Sequence, residues 1–413
     1  MSMKKQIVIL SSLLIAVALM FGVISCKKSS TTTTFGLSSL KAGAVDMNGA
    51  TPPSNVSNTP TIVAGFSVDV NASTVTQARI TLVRDYDQAS IALTITVSGS
   101  NITIVPQVDL GNGALYKLSF LGGIQSSDGQ VLPAFNRAFT TVGTFVPSGM
   151  IAYWNFENNA NDQVGSYSPT AAGIIDLTYV DSYSTAAGKA ASFNGTTTLI
   201  EIPNGDVLEN TNDFTIAFWV KPDSTKHGQF VMGLAGWYGF QFEIAGDYTW
   251  CKLAAQYRTD TSSASQDLWF PGDGQTKDNG GWKGWTFCRD LRLLGGVQGL
   301  LANKWAYVVC RFTAATKIAT MYINGDKEKE QDYNLYDPPM TEAQGLKYHG
   351  NAGNNSFVFG FIQDKVDPTI TDSWADYTNP ANSHFKGLLD NVRVFHKSLT
   401  EQEIQLMYAS EKP

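Results

Sequence analysis

Charged residues are scarce in this 413-residue chain: Asp, Glu, Lys and Arg together make up 16% of it, and the net charge is −7. The sequence contains no run of Lys and Arg that could displace counterions from a nucleic acid backbone. This lack of basic character argues against nucleic acid as a partner.

Helical periodicity is also missing, apart from the extreme N-terminus and a short C-terminal segment. Glycine (37 residues) and aromatic residues (11%) are plentiful instead, which is typical of turns and twisted strands. The length suggests two or three domains. We therefore predict an all-β chain with more than one domain.

The first 25 residues have the form of a secretory signal peptide. Two lysines, at positions 4 and 5, precede an uncharged apolar run over residues 7–24, which is short for a membrane-spanning helix. The run ends in the sequence VISC at residues 23–26, which resembles the lipobox of bacterial lipoproteins. This resemblance implies lipidation of Cys26, followed by a tether to residue 34, at the outer membrane. Whether the chain faces the cell surface or the periplasm is left open.

Cysteine is rare, because only three cysteines follow Cys26. Cys310 alternates in phase with Val308 and Phe312, which predicts a small buried side chain. In an oxidising compartment, Cys251 and Cys288 are then the candidate disulfide pair, although spacing alone does not prove the bond.

Residues 35–144 are predicted to form a β-sandwich, because short alternating segments with turn signals between them recur along this stretch. The predicted strands lie at residues 62–70, 78–83, 91–97, 102–105, 115–120 and 138–142. Five motifs follow one another here: GFS (65–67), TL (81–82), ITIVP (102–106), YKL (116–118) and FTT (139–141). In this order they resemble bacterial Ig-like domains of the surface-layer type, and the resemblance implies a spacer next to the membrane.

Residues 150–413 are predicted to form a larger β-sandwich. Strict alternation predicts strands at residues 214–220, 308–312 and 319–323. Asn324-Gly325 predicts a hairpin, since both residues tolerate a positive φ. The spacing from Thr400 to Glu403 is that of a capping box, which predicts a short C-terminal helix.

A series of motifs runs through this segment: AYWNFE (152–157), Asp162, ASFNG (191–195), FTIAFWV (214–220), Trp305, MYING (321–325), FG (359–360) and GLLDNVRVF (387–395). In this order they resemble the laminin G-like branch of the concanavalin A-like lectin/glucanase superfamily. The resemblance implies a jelly roll of two antiparallel sheets.

That fold hosts lectins, protein-binding domains and glycosidases, so the fold alone does not give the function. The glucanase members carry Glu-x-Asp-x-x-Glu on one strand, and the sequence contains no such string. We interpret the acidic cluster at residues 328–332 as a solvated strand end. We therefore expect no enzymatic activity, since a hydrolase needs two carboxylates about 5 to 10 Å apart across one cleft.

A calcium site is the first candidate for binding. The resemblance implies hard oxygen ligands at the edge of the sandwich, for which the chain offers Glu157, Asp162 and Asp390. Asp390 is in phase with Val392 and Val394, so its carboxylate needs a cation or hydrogen-bond donors. A structural calcium is one interpretation, and hydrogen bonds from backbone N–H groups are the other.

The long insertion at residues 257–301 is the second candidate, since loops of this length are usually functional or disordered. Its aromatic and polar residues, with one tryptophan just before it, form the predicted ligand-binding set: Trp250, Trp269, Trp282, Trp285, Asp278 and Asn279. Sugar rings dock on aromatic faces, while Asp and Asn bind their hydroxyls. A glycan platform is one interpretation, and a small tryptophan core that holds the insertion in place is the other.

Together these features predict an envelope-anchored, non-catalytic lipoprotein that binds glycan through its C-terminal domain and contacts the membrane through its lipid alone. The alternative is a protein-binding adhesin or a structural component of a surface complex.

Overall fold

The computed structural model describes residues 33–225, 227–259, 263–336, 343–351 and 353–413. The predicted signal peptide, Cys26 and all but the last two residues of the predicted tether lie outside these ranges. Within them, none of the helices has the length and apolar character needed to cross a membrane.

Residues 33–144 form two antiparallel sheets. The strands are β1 (Leu37–Ala42), β2 (Val45–Asp46), β3 (Ile62–Phe66), β4 (Ile80–Arg84), β5 (Ser90–Ile91), β6 (Leu93–Ser98), β7 (Asn101–Pro106), β8 (Leu115–Phe120) and β9 (Phe135–Thr140). Sheet A has the order β2-β1-β3-β7-β6 and sheet B the order β5-β4-β8-β9. Alternate residues are buried in the central strands β7 and β8, such as Ile102 and Ile104 of β7, as a two-sheet sandwich requires.

The second domain also consists of two antiparallel sheets. Its described strands are β10 (Met150–Trp154), β11 (Ile174–Ile175), β12 (Thr178–Asp181), β13 (Lys189–Asn194), β14 (Leu199–Ile202), β15 (Phe214–Pro222), β16 (Gln229–Gly233), β17 (Phe240–Ile244), β18 (Cys251–Arg258), β19 (Ser263–Phe270), β20 (Trp285–Cys288), β21 (Ala306–Thr313), β22 (Ile318–Ile323), β23 (Asp326–Asp332), β24 (Gly345–Leu346), β25 (Phe357–Phe359) and β26 (Lys386–Phe395). Its described α-helices are α1 (Asp206–Glu209), α2 (Gly296–Leu301) and α3 (Glu401–Glu411).

Sheet C has the order β12-β13-β26-β15-β21-β22-β23-β20, and β10 also pairs with β26. Sheet D has the order β11-β14-β25-β16-β17-β18-β19, and β24 also pairs with β18. The two sheets enclose one core, to which β15 contributes Phe214, Ile216 and Phe218. Aromatic contacts link this core, since the rings of Trp154 and Phe359 have centroids 5.2 Å apart. The predicted all-β class with two successive sandwiches is confirmed.

The opposite face of β15 is also buried, because helix α3 covers it. Ile404 and Met407 of the helix belong to one hydrophobic cluster with Trp219 and Tyr307 of sheet C. The predicted capping box is present: the Thr400 hydroxyl accepts from the N–H of Glu403 at 3.2 Å, and the Glu403 carboxylate accepts from the N–H of Thr400 at 2.9 Å.

Helix α3 also contacts the first domain. Gln402 donates to the carboxylate of Asp85 at 2.9 Å, and the hydroxyl of Ser410 accepts from the N–H of Phe145 at 3.2 Å. The buried apolar residues of the first domain belong to the same hydrophobic cluster as the helix. The predicted spacer is therefore packed directly against the second domain.

The interpretation of residues 328–332 as a solvated strand end is wrong. They form most of β23, and Glu328 and Lys329 are fully buried. The reason is that β20, supplied by the insertion, pairs along the outer side of β23. Burial raises the pKa of Glu328 to about 7, even though Arg289 binds its carboxylate at 2.8 Å.

The predicted disulfide between Cys251 and Cys288 is also wrong, since both residues are free thiols and both are buried. The two thiols have different neighbours: the sulfur of Cys251 lies 3.7 Å from that of Met321, and the sulfur of Cys288 lies 3.6 Å from a carboxylate oxygen of Asp273. Cys310 is buried as predicted, and burial raises the pKa of its thiol.

Candidate functional site

The long insertion forms a cavity at one side of the second domain. Strand β19 is the last strand of sheet D, and β20 is the last strand of sheet C. These two edges border a cavity of about 500 Å³ that we call the tryptophan groove. It is lined by Ser265, Gln266, Asp267, Trp269, Trp282, Trp285 and Tyr336. Three of the four predicted tryptophans therefore meet in one place.

Two of these tryptophans, Trp269 and Trp285, are fixed by contacts with other side chains of the protein. The rings of Trp269 and Trp285 have centroids 5.6 Å apart, and the ammonium of Lys329 lies 3.7 Å from the ring centroid of Trp285. Such a cation–π contact is strongest away from water, and burial lowers the pKa of Lys329 to about 8. Trp282 is different, because 61% of its surface is exposed. Trp269 and Trp285 are therefore packed together, as the interpretation of a small tryptophan core requires, whereas Trp282 is open to solvent.

Polar groups of the groove come from strand β19. Asp267 binds the ammonium of Lys252 at 2.8 Å, and Lys252 also binds Glu243 at 2.8 Å. The side chain of Asp267 remains 47% exposed, so its oxygens can also accept hydrogen bonds from a ligand.

The other three predicted ligand residues lie outside the lining of the groove. Asn279 closes a turn of the insertion, since it accepts from the N–H of Thr276 at 2.6 Å and donates to the carbonyl of Gly274 at 3.0 Å. Asp278 is exposed and pairs with the neighbouring Lys277 at 2.7 Å. Trp250 precedes β18, and the ammonium of Lys252 lies 5.6 Å from its ring centroid.

Tyr336 and Gln266 of the groove were not predicted from the sequence. Tyr336 follows β23 in the chain, some distance from the insertion, and it meets the groove only because β23 pairs with β20. Gln266 lies in β19, within a run of Ser, Thr and Asp residues whose composition is typical of a loop.

The three carboxylates expected to bind calcium do not form a site together. In the described parts of the chain, no cluster of three or more His, Cys, Asp and Glu side chains could hold a metal ion. Asp162 instead accepts from the backbone N–H groups of Tyr153, Val164 and Tyr167 at 2.9–3.1 Å. These bonds close the loop after β10.

Glu157 and Asp390 likewise have partners within the protein. A carboxylate oxygen of Glu157 accepts from the N–H of Lys189 at 3.0 Å. Asp390 accepts from the N–H of Asn391 at 2.7 Å and is hydrogen-bonded to the hydroxyl of Ser182. Burial raises the pKa of Asp390 to about 8. The carboxylate of Asp390 is therefore satisfied by hydrogen bonds within the protein, as the alternative interpretation expected.

Fold and site define a chain of two β-sandwiches with an aromatic groove at the sheet edges of the second. Residues 42–141 match the family model of the bacterial Ig-like domain. The match falls within residues 35–144, where the sequence motifs predicted such a domain. No curated protein matches the chain.

Several solved structures are similar to this chain. One is domain 4 of AbnA, a GH43 extracellular arabinanase from Geobacillus stearothermophilus in complex with arabinotriose, at 21% identity, with 63% of this chain and 98% of that chain covered and a TM-score of 0.38. Another is the receptor binding domain of the botulinum neurotoxin C/D mosaic serotype, at 14% identity, with 64% and 52% covered and a TM-score of 0.40. The binding domain of Paraclostridial Mosquitocidal Protein 1 has 14% identity, with 63% and 52% covered and a TM-score of 0.40.

Proposed function

We propose that this chain is a non-catalytic, envelope-anchored lipoprotein that binds glycan in the tryptophan groove. The observation that carries the proposal is the convergence of Trp269, Trp282, Trp285 and Tyr336 with polar side chains in one cavity of about 500 Å³. Cavities of this size, lined by aromatic residues and a few polar groups, are typical of ligand sites.

Binding combines stacking with hydrogen bonding. The exposed ring of Trp282 offers a face to the C–H surface of a sugar ring, while Trp269 and Trp285 are fixed by their mutual contact and by Lys329. Rings that are already ordered lose little conformational entropy when a ligand binds. The carboxylate of Asp267 is placed to accept hydrogen bonds from sugar hydroxyls.

The composition of the groove supports binding without hydrolysis. Among the described residues that line it, Asp267 alone carries a carboxylate, and Lys252 holds that group in an ion pair. Glycoside hydrolysis ordinarily uses two carboxyl groups on either side of the scissile bond.

Anchoring rests on the N-terminal sequence. The signal-like run and the lipobox-like VISC at residues 23–26 support lipidation of Cys26, with the Ig-like domain next to the membrane. Cys26→Ala is expected to abolish incorporation of labelled palmitate and to release the chain from the membrane fraction. Unchanged labelling would contradict the anchor.

A glycan array probed with the whole chain tests the binding function. The detergent must have no sugar headgroup, and the array is run with calcium and again with a chelator. Trp282→Ala is expected to weaken the positive signals at least about tenfold, a loss of roughly 1.4 kcal/mol. Trp237→Ala, at another tryptophan of the same domain that is 50% exposed, is the matched control and should leave them unchanged.

Other outcomes would move or remove the proposed site. Signals lost on Trp237→Ala instead would place binding on the loops around β16 and β17. Signals lost only with the chelator would favour a calcium-dependent site. An array without signals would contradict the glycan-binding function.

A protein-binding adhesin is the second candidate, favoured by one observation outside the groove. Trp237 and Trp374 are 50% and 36% exposed, and their ring centroids lie 5.4 Å apart. Exposed aromatic clusters are enriched at protein interfaces. An array without signals, together with loss of cell-surface binding on Trp237→Ala, would favour this function.

A further inference from the structure

A second cavity, of about 590 Å³, lies where the two domains meet. We call it the interdomain cleft. Asn112 and Thr144 of the first domain and Val146, which lies between the two domains in the chain, form one part of its wall. The second domain contributes the larger part of the wall, including Tyr153, Glu157, Tyr183, Asn391, Arg393 and Glu411. Eight of the fifteen residues that line the whole cleft have amide or hydroxyl side chains.

A buried ion pair forms part of this wall. Arg393 of β26 and Glu411 of α3 are 3% and 4% exposed, and their side chains are joined at 2.6 Å. The other oxygen of Glu411 accepts from the indole N–H of Trp219 at 2.8 Å. The Nε and Nη1 atoms of Arg393 form no hydrogen bond of standard geometry among the described residues, and the guanidinium lies 4.7 Å from the ring centroid of Tyr153. Buried donors of this kind are rare in folded proteins and need an acceptor.

A bulge interrupts β26 at this wall. The pairing of β15 with β26 shifts register between Asp390 and Arg393, and Asn391 adopts a φ of 51°. Bulges of this kind redirect side chains and are common next to functional sites. The amide of Asn391 donates to the hydroxyl of Tyr183 at 2.8 Å and accepts from the hydroxyl of Tyr153.

An aromatic face is also fixed at this place. The ring of Tyr183 stacks on Trp219 with centroids 4.2 Å apart, and the ring of Trp305 meets it edge-on at 5.6 Å. Tyr183 is thereby held rigid beside the amides and the guanidinium. The cleft therefore combines an ordered aromatic ring with hydrogen-bond donors and acceptors, some of which are neutral and some charged.

From this arrangement we infer that the interdomain cleft is a second binding site, for an uncharged and hydroxyl-rich ligand such as a saccharide unit. A hydroxyl oxygen can accept from Arg393 and donate to a carboxylate at the same time. An anionic ligand would meet both Glu157 and Glu411, whose charges Arg393 alone does not balance. The site shares no lining residue with the tryptophan groove, so it does not depend on binding there.

Calorimetric titration tests this site on the whole chain carrying Trp282→Ala, which disables the tryptophan groove. The probes are cellobiose, lactose, maltose and xylobiose, with digalacturonate as the anionic counterpart. At least one uncharged disaccharide is expected to give saturable heat, and digalacturonate to bind at least about tenfold more weakly.

Two variants locate that heat in the cleft. Ala186→Trp fills the cleft from an exposed position and should weaken binding at least about tenfold. Thr185→Trp, one residue earlier, is exposed and outside the lining, and should leave it unchanged. Glu157→Gln keeps an acceptor for the N–H of Lys189 but removes a charge, and should improve digalacturonate binding.

The following results would overturn the inference. They are the absence of saturable heat with all four uncharged disaccharides, equal binding by the Ala186→Trp chain, or tighter binding of digalacturonate than of the uncharged probes. None of these outcomes bears on the groove, whose test is the loss of array signals on Trp282→Ala.

Discussion

The tryptophan groove lies within the second domain and the interdomain cleft lies where the two domains meet, and they are built in different ways. The groove lies between two sheet edges and is formed largely by an inserted segment, with indole rings that contact each other at a tilt as part of its wall. The cleft is formed on β26 and α3, which belong to the framework of the domain, and its wall contains a buried ion pair. We therefore expect changes in the groove to affect binding more than folding, and changes in the cleft to affect both.

The largest effect is expected for Arg393→Leu, because it leaves the carboxylate of Glu411 buried without its cation. Breaking a buried pair on one side costs about 3–5 kcal/mol of unfolding free energy, which urea denaturation measures. Adding Glu411→Leu should restore most of this loss, except for the acceptor that Trp219 then lacks. The control is Lys189→Ala, which removes the ion pair with Asp181. Since the side chain of Asp181 is 91% exposed, this change should cost under about 1 kcal/mol. Equal costs for the two single variants would contradict the comparison.

Asp390→Asn is expected to have the next largest effect, and the effect should depend on pH. Burial raises the pKa of Asp390 to about 8 in the folded chain, above the value of roughly 3.9 for an unfolded chain. The folded state therefore holds the proton more tightly, and this residue lowers stability as the pH rises from about 4 to 8. Asn resembles the protonated acid and can keep the bonds to Ser182 and to the N–H of Asn391.

The variant should accordingly be close in stability to the original chain near pH 4 and more stable near pH 8, by on the order of 4 kcal/mol, because each unit of pKa difference corresponds to about 1.4 kcal/mol. Urea denaturation of both chains at the two pH values measures the difference. Other groups with a raised pKa, such as Glu328, contribute equally to the pH dependence of both chains, so their contributions cancel in the difference. A difference that is the same at both pH values would contradict a neutral Asp390 beside the cleft.

A smaller effect is expected within the groove for Trp285→Ala. This change removes the ring contact with Trp269 and the cation–π contact with Lys329, which are together worth about 1–2 kcal/mol. Thermal and urea unfolding measure the loss. Trp250→Ala is the matched control, since Trp250 has a single, longer cation contact at 5.6 Å. If Trp285→Ala and Trp250→Ala lowered the unfolding free energy by the same small amount, the contact between Trp269 and Trp285 would not contribute to stability.

Local signals in the sequence predicted much of this structure. Strict alternation located β15, β21 and β22, and the turn chemistry of Asn324-Gly325 located the hairpin, where the two φ values are 54° and 83°. The capping box located the start of α3. Each of these signals is contained in a few consecutive residues, so the rest of the chain does not alter it.

Features that depend on pairing between distant segments could not be predicted in this way. Glu328 and Lys329 look like a solvated strand end until β20 pairs beside them. Tyr336 joins the groove through the same pairing, and the partners of Asn279 depend on the shape of its turn. The sequence therefore identified the tryptophans of the groove but not their arrangement, and it gave no sign of the cleft.

The smallest effect on stability is expected for Trp282→Ala, although it should have a large effect on glycan binding. Trp282 is 61% exposed, and exposed side chains without special contacts usually change stability by less than about 0.5 kcal/mol. Its loss should still weaken binding at least about tenfold, because the exposed ring supplies the stacking face. Urea denaturation and array binding of the same preparation measure both quantities. The opposite result is a loss of binding together with a loss of stability as large as that of Trp285→Ala. That result would mean that Trp282 supports the shape of the groove, and the ligand would then contact other residues of the groove.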